Sequence, residues 1–188
     1  MSLRHRMLFG NNGGCFFLTT SFNRQRKLLV NYKYYQIITD SIKFLKRKYK
    51  FKLLAYVIME SHLHLILFIP KGVNVSGVMR DFKKFTSFKI REQLEKDCLV
   101  NLLNASRVSK NKKGQKFKIW QDRFDDLFLT QERTFWAKFN YIHSNPVKAG
   151  FVDKPEDYPY SSAKNYILGN EKGILRVDKE FLGSGGNS

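Results

Sequence analysis

Cysteine is nearly absent: Cys15 and Cys98 are the only two. They stand far apart and near no other ligand cluster, so no zinc cluster or dithiol redox spacing is written in the chain. A reducing, cytoplasmic setting suits it. Long apolar runs are missing as well. The longest spans residues 53–59 (LLAYVIM), with 65–69 (LILFI) next after it, against the roughly 20 residues a membrane-crossing helix requires. Residues 1–14 are polar and lack the apolar stretch of a secretory signal. Acidic residues are scarce: 16 Asp and Glu stand against 34 Lys and Arg, a net charge of +18. That surplus favours a polyanionic partner, of which nucleic acid is the commonest. Yet 43% of the residues are hydrophobic and 15% aromatic, too apolar for a disordered polycation. The length suffices for one domain with its own core.

What is present is organised. Residues 15–22 (CFFLTTSF) follow two glycines and read as a strand. Across 28–50, Tyr34, Ile38, Ile42, Leu45 and Tyr49 recur every three or four positions, which predicts an amphipathic helix. Residues 51–59 and 62–70 are two further strands, and the short Glu60-Ser61 connection makes them an antiparallel hairpin. Asn74 is placed to cap a second helix over 75–97, with Val78, Phe82 and Phe85 as its apolar stripe and Arg80, Lys84 and Arg91 on another face. The polar, basic stretch 99–115 reads as a loop. Strand character returns over 117–120 and 125–129. A third helix is predicted over 131–143, stopped by Pro146, because the residue before a proline is driven out of the α region. An irregular aromatic stretch follows Gly150, and a disordered tail begins at Gly183. The expected division is an N-terminal segment at 1–14, one domain at 15–170 with a basic loop at about 100–116, and a partly disordered C-terminal tail at 171–188. The element order predicts an α+β fold: a ferredoxin-like antiparallel sheet with helices packed on it.

Two local patterns carry chemistry. His62 and His64 lie two apart in a strand, so their imidazoles share a face while Leu63, Leu65 and Leu67 take the other. Two neutral imidazoles so placed can chelate one divalent cation; the alternative is a hydrogen-bonded histidine pair on a half-exposed strand. In the third helix, Phe135, Phe139 and Ile142 form the apolar stripe. Tyr141 lies about 100° from its centre, on a flank shared with Lys138 and Asn145. Its hydroxyl is available to a site, although an ordinary amphipathic tyrosine at a helix edge would look the same.

Together the motifs resemble a known family. Residues 56–65 (YVIMESHLHL), 82–87 (FKKFTS), 120–124 (WQDRF), 141–150 (YIHSNPVKAG) and 155–162 (PEDYPYSS), in this order, resemble single-tyrosine transposases of the histidine–hydrophobe–histidine class. Within that IS200-like group they are similar to the REP-associated tyrosine transposases. The resemblance spans about residues 15–166. It implies a DNA transposase whose nucleophile is Tyr141 and whose metal ligands are His62, His64 and, four residues after the tyrosine, Asn145, where more distant relatives often carry glutamine. Many members have Pro-Asn where this chain has Glu60-Ser61, which adds a carboxylate near the histidines.

The implied reaction is transesterification through a 5′-phosphotyrosine. A phenol ionises near pH 10 and needs help at neutral pH; a divalent cation, Mg²⁺ or Mn²⁺, would neutralise phosphate charge. The implied partner is single-stranded or hairpin DNA, and the protein is expected as a monomer or homodimer. Basic residues beside aromatics suit a single strand, since charge follows the backbone and rings stack on bases. Arg80, Lys83, Lys84, Trp120 and Arg123 are the candidates for DNA contact, with Lys110, Lys112, Lys113 and Lys116 in the loop. A non-catalytic hairpin DNA- or RNA-binding module is the competing reading.

Overall fold

A computed structural model describes residues 13–108 and 116–182. Four strands form one sheet: β1 (Gly13–Ser21), β2 (Lys52–Ile58), β3 (His62–Pro70) and β4 (Asp125–Phe128), in the order β2-β3-β1-β4 with every neighbouring pair antiparallel. Helices α1 (Tyr32–Tyr49) and α2 (Val75–Lys96) fill the two long crossovers, followed by a short α3 (Val100–Ala105). A fourth helix, α4 (Glu132–Lys148), follows β4, and α5 (Ala163–Ile167) lies near the end. This is the expected ferredoxin-like arrangement.

Strand alternation gives the sheet two buried faces. Leu18, Leu63, Leu65, Leu67 and Ile69 point to the side covered by α1 and α2. Cys15, Phe17, Ile66 and Phe68 point to the other side, where Phe135, Phe139 and Ile142 of α4 cover them. Asn31 and Asn74 cap α1 and α2, their side chains accepting from the Lys33 and Ser76 amides. Helix α1 begins at Tyr32 rather than at Leu28, because Leu28 and Leu29 are buried in the core and their amides bond the Glu60 carbonyl.

Several expectations need correction. Helix α4 does not stop at Pro146; it runs through it to Lys148. Proline lacks only its own N–H, and in a final turn that removes one bond while later amides close on Asn145, Val147 and Pro146. The stretch 99–115 is not wholly loop, since α3 lies within it; Lys110, Lys112 and Lys113 fall outside the described residues. Residues 117–120 make isolated bridges rather than a strand. The buried side of α2 is Val78, Met79, Phe82, Thr86, Ile90 and Leu94, which leaves Phe85 46% exposed.

The region after Gly150 is more built than expected. Residues 158–162 run along the edge of β2: the Ile58 amide bonds the Tyr160 carbonyl, the Ser162 amide bonds the Tyr56 carbonyl, and Val57 bridges Ser161. Further on, Asp178 accepts from and donates to the backbone of Leu53. Leu175, Val177 and Leu182 are buried, so the stretch expected as a tail from residue 171 contributes side chains to the core; residues 183–188, like 1–12, lie outside the described residues. No helix among the described residues is long and apolar enough to cross a membrane.

Candidate active site

His62 and His64 come from β3 and face the side of the sheet covered by α4. His62 lies opposite Ser21 and His64 opposite Thr19 in the β1–β3 register. The two ring centroids are 4.9 Å apart. His64 is 5% exposed and stacks on Phe17 at 5.5 Å. Its Nδ1 lies 2.8 Å from Thr19 Oγ1, and His62 Nδ1 lies 3.1 Å from Ser61 Oγ. With Nδ1–H donating to each hydroxyl, both Nε2 atoms keep a lone pair. His64 Nε2 is buried and has no hydrogen-bond partner.

The electrostatics keep both rings neutral. Burial, then His62 and Lys138, push His64 down to about 3. Burial likewise lowers His62. A neutral imidazole with a free, desolvated nitrogen is the form that ligates a metal. Leaving such a nitrogen unsatisfied otherwise costs free energy, so the donor set fits a divalent cation. Among the described residues no group of three or more His, Cys, Asp or Glu could hold a metal. A third donor would therefore be an amide, water or the substrate.

Helix α4 lays Tyr141 beside this pair. The Tyr141 and His64 centroids are 5.1 Å apart, edge to face, and Phe17 is 6.1 Å from Tyr141. The tyrosine stays 39% exposed, so a strand can reach it. Asn145 follows one turn later and half buried, on the same flank by helical geometry; no hydrogen bond joins its side chain to either histidine. The sequence marks Lys138 only as a neighbour on that flank. Its Nζ stands 4.9 Å from the Phe17 ring and 5.7 Å from the Tyr141 ring, which puts a cation at the tyrosine. One turn of helix, 138 to 141, was the signal for it. Glu60 carries its carboxylate 3.0 Å from the Lys27 ammonium.

The residues expected to grip DNA do not form one surface. Trp120 is 4% exposed, stacks on Phe22 at 4.0 Å and donates its Nε1–H to Thr86 Oγ1 at 2.8 Å. It is a core residue and offers no face to a base. Lys83 points its ammonium at the Gln121, Asp122 and Arg123 carbonyls, at 2.9, 3.4 and 2.7 Å, and its burial lowers it to about 8. In this structure it ties down a loop. Arg80 and Lys84 lie on α2, so the sheet separates them from Tyr141; Arg80 pairs with Asp81, and Lys84 lines a groove with Phe44, Phe85 and Phe88. Arg123 is exposed in the loop whose Gln121 amide bonds the Ser21 carbonyl. Because Ser21 is the register partner of His62, Arg123 belongs to the same end of the sheet as the histidines.

Comparison with known proteins gives a consistent result. The family described as "Transposase IS200 like" matches residues 18–145, a span that takes in His62, His64, Tyr141 and Asn145. A REP-associated tyrosine transposase of Escherichia coli is 28% identical over 167 residues, 88% of this chain and 84% of its own. A Haemophilus influenzae protein carrying the same description provisionally is 29% identical over 150 residues, 80% of each chain. The solved structure of a REP-associated tyrosine transposase bound to a REP hairpin aligns with a TM-score of 0.63 at 27% identity, covering 84% of this chain and 81% of the other.

Proposed function

Since the chain belongs to the IS200-like transposase family and is a tyrosine transposase, we propose that it cuts and rejoins single-stranded DNA next to hairpin-forming repeats, through a covalent 5′-phosphotyrosine. The observation that carries this reading is the partnerless, buried Nε2 of His64 beside the exposed Tyr141 ring. His62 and His64 would hold a divalent cation, Mg²⁺ or Mn²⁺, with Asn145 placed by sequence to add an amide oxygen. When bound, the cation would supply charge neutralisation at the scissile phosphate.

The chain's own groups do the rest. Tyr141 Oη attacks phosphorus and loses its proton; the bond to the 3′ oxygen breaks, and that oxygen leaves as a hydroxyl after taking up a proton. Lys138, whose ammonium stands over the Tyr141 ring, offsets the charge gathering on the phosphate. The phosphoester energy stays in the Tyr141–phosphate bond, so an incoming 3′-hydroxyl restores the backbone without ATP. Thr19 and Ser61 hold the imidazoles in orientation. Arg123, at the histidine end of the sheet, meets backbone phosphate. The occurrence of a hairpin complex in a relative supports hairpin DNA as the substrate here, and the cytoplasm as the compartment follows from the substrate.

Purified wild type and Tyr141→Phe, incubated with labelled hairpin DNA carrying a single-stranded flank, in Mn²⁺ or EDTA, are compared on a denaturing gel. Wild type in Mn²⁺ should give a slow covalent band that is lost in EDTA and in Tyr141→Phe. An adduct formed by Tyr141→Phe would remove the tyrosine from its role. Tight hairpin binding with no adduct under any condition would favour a binding module.

A further inference from the structure

The cleavage chemistry leaves two sequence motifs unused: His143, in the segment that carries Tyr141, and the run YPYSS at 158–162. The structure joins them. His143 Nε2 lies 2.7 Å from Ser162 Oγ. That hydroxyl belongs to a fully buried residue and also lies 2.9 Å from the Tyr56 nitrogen and 3.2 Å from the Tyr56 oxygen. A serine hydroxyl has one proton and two acceptor lone pairs. All three contacts are satisfied together when the Tyr56 N–H and the His143 Nε2–H donate to Oγ, and Oγ–H donates to the Tyr56 carbonyl. Ser162 itself is fixed by its amide on the Tyr56 carbonyl, 2.9 Å away. Phe139 and Tyr166 wall the imidazole at ring-centroid distances of 4.3 and 5.6 Å.

Two steps along an α-helix turn the side-chain direction by about 200°. Tyr141 and His143 thus leave α4 on nearly opposite sides, one towards Phe17 and His64, the other towards Ser162 and β2. The apolar stripe of Phe135, Phe139 and Ile142 holds the helix down, but such contacts are non-directional and set its roll only loosely. A hydrogen bond has a defined length and angle.

We propose that the His143–Ser162 bond is a latch that fixes the roll of α4 and thereby aims the Tyr141 hydroxyl at a phosphate beside His64. His143 is a positioning residue. This rests on the reading of Tyr141 as the nucleophile.

The test compares full-length wild type, His143→Ala and His143→Gln. Three quantities are measured: single-turnover adduct formation on saturating hairpin DNA in Mn²⁺, hairpin affinity in EDTA, and ¹³C spectra of ring-labelled tyrosine. The Tyr141 signal is identified as the one missing from Tyr141→Phe. His143→Ala should slow adduct formation by about ten- to a hundredfold and shift the Tyr141 signal, with hairpin affinity changed by less than about twofold. His143→Gln, which keeps an N–H donor, should recover most of the rate. Should His143→Ala fail to fold, Ser162→Ala gives the same comparison with the histidine in place. A folded variant whose Tyr141 signal stays at the wild-type position overturns the latch, whatever its rate. If wild type itself forms no adduct, the nucleophile reading fails, while the tyrosine signal still decides whether His143 orients that ring.

Discussion

Lys138 holds a cation over the ring of the proposed nucleophile, and its contribution is separable from the metal's. Lys138→Met keeps the stem that covers Phe17 and removes the charge. Its adduct formation should fall by roughly tenfold or more, while hairpin affinity in EDTA barely moves; equal losses in both would make it a DNA-binding residue instead. Trp120 offers the opposite case. Trp120→Ala should destabilise the fold by about 3–5 kcal/mol, read as a lower midpoint in denaturant, because it empties the space between Phe22 and Phe82. At this scale the histidines and Tyr141 were legible because each sits in a regular element whose period fixes its face. Trp120 and Lys83 were not. An aromatic or a lysine in an irregular stretch reads the same whether it faces the core, a carbonyl or a phosphate, and only tertiary packing separates these.

Between elements, α1 and α2 are clasped at both ends. Lys48 and Tyr49 meet Asp81, at 2.6 Å each, while Lys33 and Tyr34 meet Asp97, at 3.2 and 3.1 Å. The Lys48 ammonium, then the Tyr49 hydroxyl, hold Asp81 well below the usual carboxylate range. A carboxyl whose folded value is depressed lends stability above its unfolded value, near 4, and that stability is lost as the pH falls below it. The melting temperature should therefore drop on acidification below about pH 4 more steeply for wild type than for Asp81→Asn. Parallel curves would show that solvent screens the pair to nothing. The existence and order of these helices were legible from apolar spacing. Their ends were less so: the packing of Leu28 and Leu29 under the β2–β3 turn shortens α1, and tertiary cover lets α4 pass Pro146. In α2, Val78 and Phe82 are buried as their spacing predicts, but Phe85 stands exposed while the smaller Thr86 is buried and bonded to Trp120.

For the whole molecule, the +18 charge makes DNA affinity steeply salt-dependent. Removing one true phosphate contact should flatten the log–log slope by about 0.7–0.9. Arg123→Ala should do so, whereas Lys83→Met, which loses the carbonyl contacts of the 121–123 loop, should keep the wild-type slope; the reverse pattern would return Lys83 to the DNA surface. Charge and fold class were both legible from composition and element order. The use of residues 158–178 was not, because their partners are backbone groups on β2, more than a hundred residues earlier, and no local pattern announces such pairing. That pairing also has a consequence in time. A ribosome releases the tyrosine helix before it releases the segment that seals the β2 edge and holds Ser162. If the His143–Ser162 bond aims Tyr141, the hydroxyl at residue 141 gains that aim only once the segment has emerged. On that proposal, the segment that follows the tyrosine helix would be the one that arms the enzyme.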